Sequence, residues 1–254
     1  MAETNNRVQS TAKTFRILEA LKDLDGATVT ELTDHLDLPK SSVHNYLSTL
    51  ADAEYVVQDD ANQYHVGLRF LDLGAFARKR RPIYEVAKPE VSKLAEETGE
   101  LANLLVEEHG RGVYIYRATG PEAVKVDSYT GQRVYLHNTA LGKAILATLP
   151  EERVDEILDR HGLPATTEKT ITDRATLSDE LERVREEGVA FDDEERLRGL
   201  RCVAAPIVTK DDRVEGAVSL AGPSSRISDD RFTEELPELI RNAVNVVELN
   251  ITYA

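Results

Sequence analysis

Six polar side chains between Lys40 and Ser48 have the types and spacing to meet nucleic acid. On a helix drawn through Pro39–Ala51, Val43, Tyr46, Leu47 and Leu50 recur at i, i+3, i+4 and i+7 and form an apolar stripe. Lys40, Ser41, Ser42, His44, Asn45 and Ser48 take the other side. That side holds no carboxylate, in a chain with 46 Asp and Glu. A lysine with hydroxyl, imidazole and amide groups can donate to phosphate oxygens and base edges, and no acid there repels the backbone. Such a surface suits a helix lying in a major groove. The same pattern also occurs in helical domains that never touch DNA, so the neighbouring elements must decide.

Further along, three stretches have chemical potential of another kind. His137–Ala147 (HNTALGKAILA) reads as a loop entering a helix, with small residues at Ala140, Gly142 and Ala144. Backbone N–H groups at such a start can grip an anion, and small residues also permit close packing on a sheet. A Gly-Lys pair without the rest of a P-loop excludes that nucleotide motif. Asp192–Glu195 is a run of four acids with no histidine or cysteine at ligand spacing, which reads as a solvated face rather than a metal site. Cys202 is the single cysteine. With His137 or His161 as base it would be a nucleophile; alone and buried it is a small hydrophobe. Ser219 and Ala221 share a strand face, so Ser219 is either satisfied locally or lines a cavity.

The elements that position the first set come in a telling order. Residues 1–9 are polar and expected to fray. Ser10 can cap a helix to Leu24, with Phe15, Ile17, Leu18, Leu21 and Leu24 as its buried stripe. Asp25-Gly26 ends it. Thr28 and Glu31 have the spacing of a capping box, followed by Val29, Leu32 and Leu36 at helical spacing. Asp37-Leu38-Pro39 breaks the run, and Pro39 suits a first helical position. Val56–Gln58 and Tyr64–Val66 then read as a hairpin with a polar tip, closed by Gly67. Three helices and a hairpin make a winged helix-turn-helix, in which Pro39–Ala51 reads the groove and the wing, Gln58–Tyr64, approaches backbone or minor groove.

Leu68–Arg81 is a further helix and the natural linker. Its end, Arg78-Lys79-Arg80-Arg81, either complements the helix dipole or contacts phosphate. Beyond it come a helix over Ile83–Thr98, strands at Leu101–Glu107, Val113–Ala118, Ala123–Ser128 and Arg133–Tyr135, and helices at Thr139–Leu149 and Glu151–Leu158. Thr170–Thr172 is a short extended piece. Leu177–Glu187 is helical, Val203–Val208 and Val214–Leu220 form a hairpin, and Ser228–Asn250 is mostly helical. This is an α+β domain, an antiparallel sheet flanked by helices. The expected division is 1–67 for the winged domain, 68–82 for the linker helix and 83–254 for the second domain.

Composition bounds the rest. At 254 residues the chain can bury two cores. No apolar run reaches the length of a membrane span and the N-terminus lacks the core of a signal peptide, so a soluble, cytoplasmic protein is expected. One cysteine excludes an internal disulfide and multi-cysteine zinc fingers, and no cofactor is implied. The formal charge is −15, of which only −2 falls in residues 1–81. Dispersed carboxylates of this kind are typical of proteins from salt-loving cells, where weakened phosphate contacts leave more of the affinity to base edges.

Taken together, LPKSSVHNYLSTL, Tyr64-x-x-Gly67, HNTALGKAILA, GVAFDDEE, GLRCVAAPI and AVSLAGPSSR resemble the IclR family of transcriptional regulators, over about Val8 to Val247. The resemblance implies a winged domain that dimerises, a linker helix and a GAF-like domain that binds a small effector, commonly a carboxylic acid. Dimers commonly pair into tetramers on DNA. It places Leu141, Gly142, Asp192, Cys202 and Ser219 at the effector. Ala221 stands where the family often has a second serine, and Asn45 where arginine is common, so the operator cannot be copied from relatives. The expected protein is a regulator of metabolic genes, not an enzyme. Its partners would be a palindromic duplex operator and a small organic or sugar acid, with no membrane. The alternatives are a cysteine-dependent hydrolase and a protein-interaction module behind the winged helix.

Overall fold

Thr28 and Glu31 bond reciprocally. The Thr28 N–H donates to Glu31 Oε2 at 2.7 Å and the Glu31 N–H to Thr28 Oγ1 at 3.3 Å. This capping box starts the second helix of the computed structural model, which describes residues 8–126 and 128–253. The chain folds into two compact units that part between Ala77 and Arg78.

The first unit holds α1 (Gln9–Asp23), α2 (Val29–Leu36), α3 (Lys40–Asp52) and an antiparallel hairpin of β1 (Val56–Gln58) and β2 (Tyr64–Val66). Ile17, Leu21, Leu32, Val43 and Leu47 are buried together beneath it. Tyr64 exchanges both backbone hydrogen bonds with Ala27, tying the wing to the turn after α1. Asp37 ends α2 in the left-handed region, with φ of 51°. Two local readings need correction. The first helix begins at Gln9 with Val8 before it and no side-chain cap, so Ser10 lies inside the helix. Pro39 is the residue before α3, not its first turn. The predicted frayed segment falls largely on residues 1–7, outside the described residues.

A larger correction concerns the stripe of α1. Ile17, Ala20 and Leu21 are buried, but Phe15 is 59% exposed and Leu24 39%. The helix has an inward row and a second apolar row that faces out. Phe15 and Leu18 line a groove on this unit with Val66 and Phe70. Helix α4 (Arg69–Lys79) buries no residue, and Leu71 and Phe76 are exposed on it.

The second unit is built on a six-stranded antiparallel sheet, in the order β5 (Arg133–Val134), β4 (Arg111–Thr119), β3 (Leu101–Glu108), β8 (Val214–Pro223), β7 (Leu200–Val208), β6 (Ala190–Asp193). One face packs on α5 (Pro82–Thr98) and α9 (Leu236–Tyr253) through Ile83, Val91, Leu104, Val218, Ile240 and Val247. The other packs on α6 (Ala140–Thr148), α7 (Glu151–His161) and α8 (Arg174–Glu187) through Leu101, Leu105, Ile145, Leu181 and Ala217. The sheet is covered on both sides, so β3 reads as a nearly unbroken apolar run rather than an alternation.

The structure alters several predicted elements. Ala123–Ser128 is not a strand among its described residues, and Asp127 lies outside them. Gly120 and Glu122 bond backward to Glu100 and Gly99, so this segment leaves the sheet at a turn instead of continuing it. Thr170–Thr172 pairs with no strand; the Thr170 hydroxyl instead binds the loop after β6 at Glu195 O, 2.6 Å. The run of acids at 192–195 begins in a strand, β6, and strand β7 starts three residues before the predicted Val203. Asp173 caps α8, accepting from the Thr176 N–H at 2.9 Å, a start the apolar stripe alone did not reveal.

Candidate functional site

Helix α3 turns Val43, Leu47 and Leu50 inward, which fixes what faces out. Lys40, Ser41, His44, Asn45 and Ser48 are exposed and Ser42 is half-buried. The acid-free stretch from Lys40 to Ser48 is therefore on the surface, with the exposed Asp52 one turn further along at the end of the helix. The wing is a stiff hairpin. The Asp59 carboxylate accepts from the Ala61 and Gln63 N–H groups, each at 2.9 Å, and lies 3.1 Å from His65 Nε2. The Gln63 amide foremost, then His65, holds the Asp59 carboxyl below its ordinary value. Between Val56 and Val66 there is no lysine or arginine, so the wing brings two acids at its tip and little to neutralise phosphate.

The basic run 78–81 is divided. Arg78 stacks on the Tyr84 ring at 4.4 Å and Arg81 pairs with Glu108 at 3.2 Å. Lys79 and Arg80 are exposed and have no ion pair among the described residues. Half of the run therefore serves packing within the second unit.

In that unit, a cavity of about 20 Å³ opens between the sheet and the start of α6. Leu101, Asn103, Tyr114, Val126, Ser128, Thr139, Leu141, Asp192, Arg196, Leu200, Cys202 and Ala221 line it. Of the five residues anticipated there, Leu141, Asp192 and Cys202 reach it. Gly142 and Ser219 stand behind. The Gly142 N–H donates to Thr139 Oγ1 at 3.0 Å, capping the helix, and a side chain on Gly142 would strike Leu136 O at 2.1 Å. Its small size serves close packing. Ser219 is fully buried and its Oγ accepts from Asn103 Nδ2 at 3.3 Å. The Asn103 Oδ1 is buried with no partner.

The acid run is not the solvated face the sequence implied. Asp193 pairs with Arg201 at 2.8 Å, and Glu194 accepts from the Gly199 N–H at 2.7 Å. Asp192 and Glu195 are buried. Alternation along β6 turns Asp192 inward, and Glu195 is drawn in by Lys143. Lys143, on α6, is 1% exposed and pairs with Glu195 and, at 2.9 Å, with Glu180. Among the described residues no group of three His, Cys, Asp or Glu is placed to hold an ion.

Asp192 Oδ1 accepts from the N–H groups of Glu195 at 2.7 Å and Arg196 at 3.3 Å. Burial, with the charge of Glu195 second, nevertheless pushes its carboxyl up to about 7. The folded chain thus holds this proton more tightly than the unfolded chain. Stability from this group is full below pH ~4 and falls as pH rises towards about 7. An Asp192→Asn variant keeps the acceptor and cannot ionise. It is expected to gain on the order of 2 to 3 kcal/mol over the parent at pH 8, relative to the comparison at pH ~5. Urea denaturation at the two pH values checks this. An equal difference at both would show that Asp192 is ionised throughout.

Cys202 has no nucleophile's surroundings. Burial, then the charge of Asp192, pushes its thiol up to about 12. The ring of His137 bonds Pro164 O at 3.2 Å and that of His161 bonds His109 O at 2.8 Å, so neither is placed as its base. Asn103, Tyr114, Ser128, Thr139 and Arg196 were missed from sequence. Asn103 was findable by the argument used for Ser219, as a polar residue in an apolar strand. Arg196 was findable as the cation ending a run of acids.

Two family descriptions match the chain: the IclR helix-turn-helix domain over residues 10–60, and "Bacterial transcriptional regulator IclR C-terminal" over 75–248. The chain is 34% identical over 251 residues to "Probable HTH-type transcriptional regulator ArcR" of Halobacterium salinarum, covering 98% of this chain and 95% of that one. It is 32% identical to the transcriptional repressor IclR of Escherichia coli K12, covering 96% and 91%. In fold it is similar to an IclR homolog from Microbacterium hydrocarbonoxydans solved with 4-hydroxybenzoate. That likeness has a TM-score of 0.81 at 22% identity, over 96% of this chain and all of that one.

Proposed function

The chain belongs to the IclR family of transcriptional regulators, and from that premise we propose how its two units divide the work. The N-terminal winged helix-turn-helix, residues 1–67, reads duplex DNA through Lys40, Ser41, Ser42, His44, Asn45 and Ser48 on α3. Residues 68–82 link it to an effector domain, 83–254. The observation that carries this reading is the outward face of α3, free of acids from Lys40 to Ser48, on a chain of net charge −15. Phosphate neutralisation falls to Lys40 with Lys79 and Arg80, since the wing has no basic residue except His65.

The outward apolar row of α1, with Phe15, and the exposed Leu71 and Phe76 of α4 favour a second copy of the chain as their cover. Two copies related by a two-fold axis imply a palindromic operator. A tetramer would follow from pairing of such dimers. A high-salt cell would suit the dispersed acids, and the cytoplasm would be its compartment; among the described residues no helix is long and apolar enough to cross a membrane.

The cavity beside α6 is the effector site of this reading, with Leu141, Asp192 and Cys202 in its wall and Gly142 and Ser219 shaping it from behind. A small acid fits its chemistry, in keeping with the 4-hydroxybenzoate bound by the Microbacterium hydrocarbonoxydans protein. Effector binding shifts the population of dimer geometries and so the spacing of the two α3 helices. Regulation rather than catalysis is favoured by the inert Cys202 and by the regulators among its relatives.

Selection from a random duplex pool by the full chain tests the reading. Enriched sequences with two-fold symmetry, half-sites about one helical turn apart, are expected. Retention of duplexes without sequence preference would instead favour a winged domain that binds protein.

A further inference from the structure

Residues 162–173 cross from α7 to α8 without joining the sheet, and three of their threonines act on one loop. Thr170 Oγ1 donates to Glu195 O at 2.6 Å and accepts from the Thr166 and Thr167 N–H groups at 3.1 and 3.0 Å. A hydroxyl has one donor and two acceptor sites, so the buried Thr170 has all three in use. Thr166 Oγ1 donates to the same carbonyl at 2.9 Å, and Thr167 Oγ1 to Glu194 O at 2.8 Å. Asn138 Nδ2, just before α6, donates to Thr166 Oγ1 at 3.1 Å. This strap therefore ties the loop after β6 to the entry of α6, and both border the small cavity.

The carbonyls it grips belong to two consecutive peptide groups. In a trans peptide the C=O and the following N–H point in opposite directions from one rigid plane. Glu194 C=O shares its plane with the Glu195 N–H, and Glu195 C=O with the Arg196 N–H. Both N–H groups go to Asp192 Oδ1, at 2.7 and 3.3 Å. Threonine hydroxyls on one side thus aim two amide donors at one carboxylate oxygen on the other. Glu194 has a φ of 67°, in the left-handed region, where a residue with a Cβ persists only if its surroundings hold it. Bonds in such a chain polarise one another, so loss of the first weakens the second. Lys169 also reaches Asp193 and Glu194, but an exposed pair of this kind contributes little.

We infer that Thr170, with Thr166 and Thr167 beside it, is a positioning residue of the effector site, fixing how Asp192 stands in the cavity wall. Its consequence for binding rests on the effector reading of that cavity; its hold on Asp192 does not. The groups that carry charge or a proton around Asp192 are Tyr114 and Arg117 on β4, Lys143 on α6, Glu195 and Arg196 in the loop, and Cys202 on β7. A substitution at Thr170 removes none of them.

The carbon-13 resonances of the aspartate carboxyls, followed against pH in the full chain, test the inference. The Asp192 signal is the one missing from Asp192→Asn. Amide donors favour the charged form of a carboxyl. In Thr170→Val, which keeps the shape and loses the hydroxyl, the Asp192 midpoint is expected above the parent's, which lies at about 7. Thr170→Ser is expected to restore it. Calorimetry with 4-hydroxybenzoate as probe should give an affinity about tenfold lower for Thr170→Val and near the parent's for Thr170→Ser. A Thr170→Val protein that loses stability to urea but keeps the parent's Asp192 midpoint would overturn the inference, since a purely structural threonine behaves that way. Should that variant fail to fold, Thr167→Val, which frees only the first of the two peptide groups, decides by the same midpoint. A raised midpoint with unchanged probe affinity would overturn the strap's part in binding. No binding of the probe to the parent would count against the small-acid reading of the cavity, while the midpoint still decides the hold on Asp192.

Discussion

Asn45→Ala is expected to weaken specific operator binding by 1–3 kcal/mol, a loss of about 5- to 150-fold. Asn45 is exposed near the middle of α3, two residues from buried Val43 and Leu47 on either side. An asparagine can offer both a donor and an acceptor to adenine in the major groove. Its loss should therefore relax sequence preference without changing the slope of affinity against salt, which counts phosphate contacts. Lys40→Ala should do the opposite, weakening all duplexes alike and reducing that slope by about one. Gel-shift titration at several salt concentrations separates the two. An unchanged affinity of Asn45→Ala for the selected operator would remove α3 from the reading role.

The second large effect concerns the buried cation Lys143 on α6, beside the small cavity. Lys143 sits between Glu195 and Glu180 with almost no exposure, and Glu195 Oε2 already has no partner. Lys143→Met preserves length and packing but strands Glu195, whereas Glu180 keeps its pair with Arg183. Breaking a buried pair from one side costs about 3–5 kcal/mol, since the remaining charge is neither hydrated nor paired. Burial already raises Glu195 above its ordinary carboxyl value despite Lys143, so its charged form is the one under strain. The variant is thus expected to be severely destabilised at neutral pH and to recover as the pH falls and Glu195 takes a proton. A triple variant, Lys143→Met with Glu180→Gln and Glu195→Gln, should regain much of the loss. Chemical denaturation of the three proteins checks this; a Lys143→Met protein as stable as the parent would mean that Lys143 reaches water.

What the sequence disclosed and what it hid follow from how far each signal reaches. The capping box and the stripe of α3 are local, with partners three or four residues apart, and their faces were readable before any packing was known. The hairpin closed by Gly67 was equally local. The stripe of α1 was misassigned because two apolar rows share that helix, and only the position of α2 decides which row is covered. Phe15 is apolar and exposed, a distinction no single-chain periodicity makes. The acids at 192–195 were misjudged for a related reason. Charge runs are commonly solvated, but here a strand period of two sends Asp192 inward and Lys143, some fifty residues earlier, compensates Glu195. The cavity mixes residues from β3, β4, β6, β7, β8 and the start of α6, so its membership is set by strand order, which the sequence does not spell out. Leu141, Asp192 and Cys202 were anticipated through resemblance; Arg196 and Tyr114 needed the sheet.

The position of α3 on the operator can be measured directly. The native Cys202 is buried and its thiol is held protonated, so a cysteine introduced at Thr49, exposed on α3, can be labelled alone. A DNA-cleaving iron chelate attached there should cut the selected operator at two places related by its two-fold axis, each at the edge of a half-site. Cleavage spread evenly along the duplex, or confined to DNA outside the half-sites, would contradict the placement of α3 in the groove.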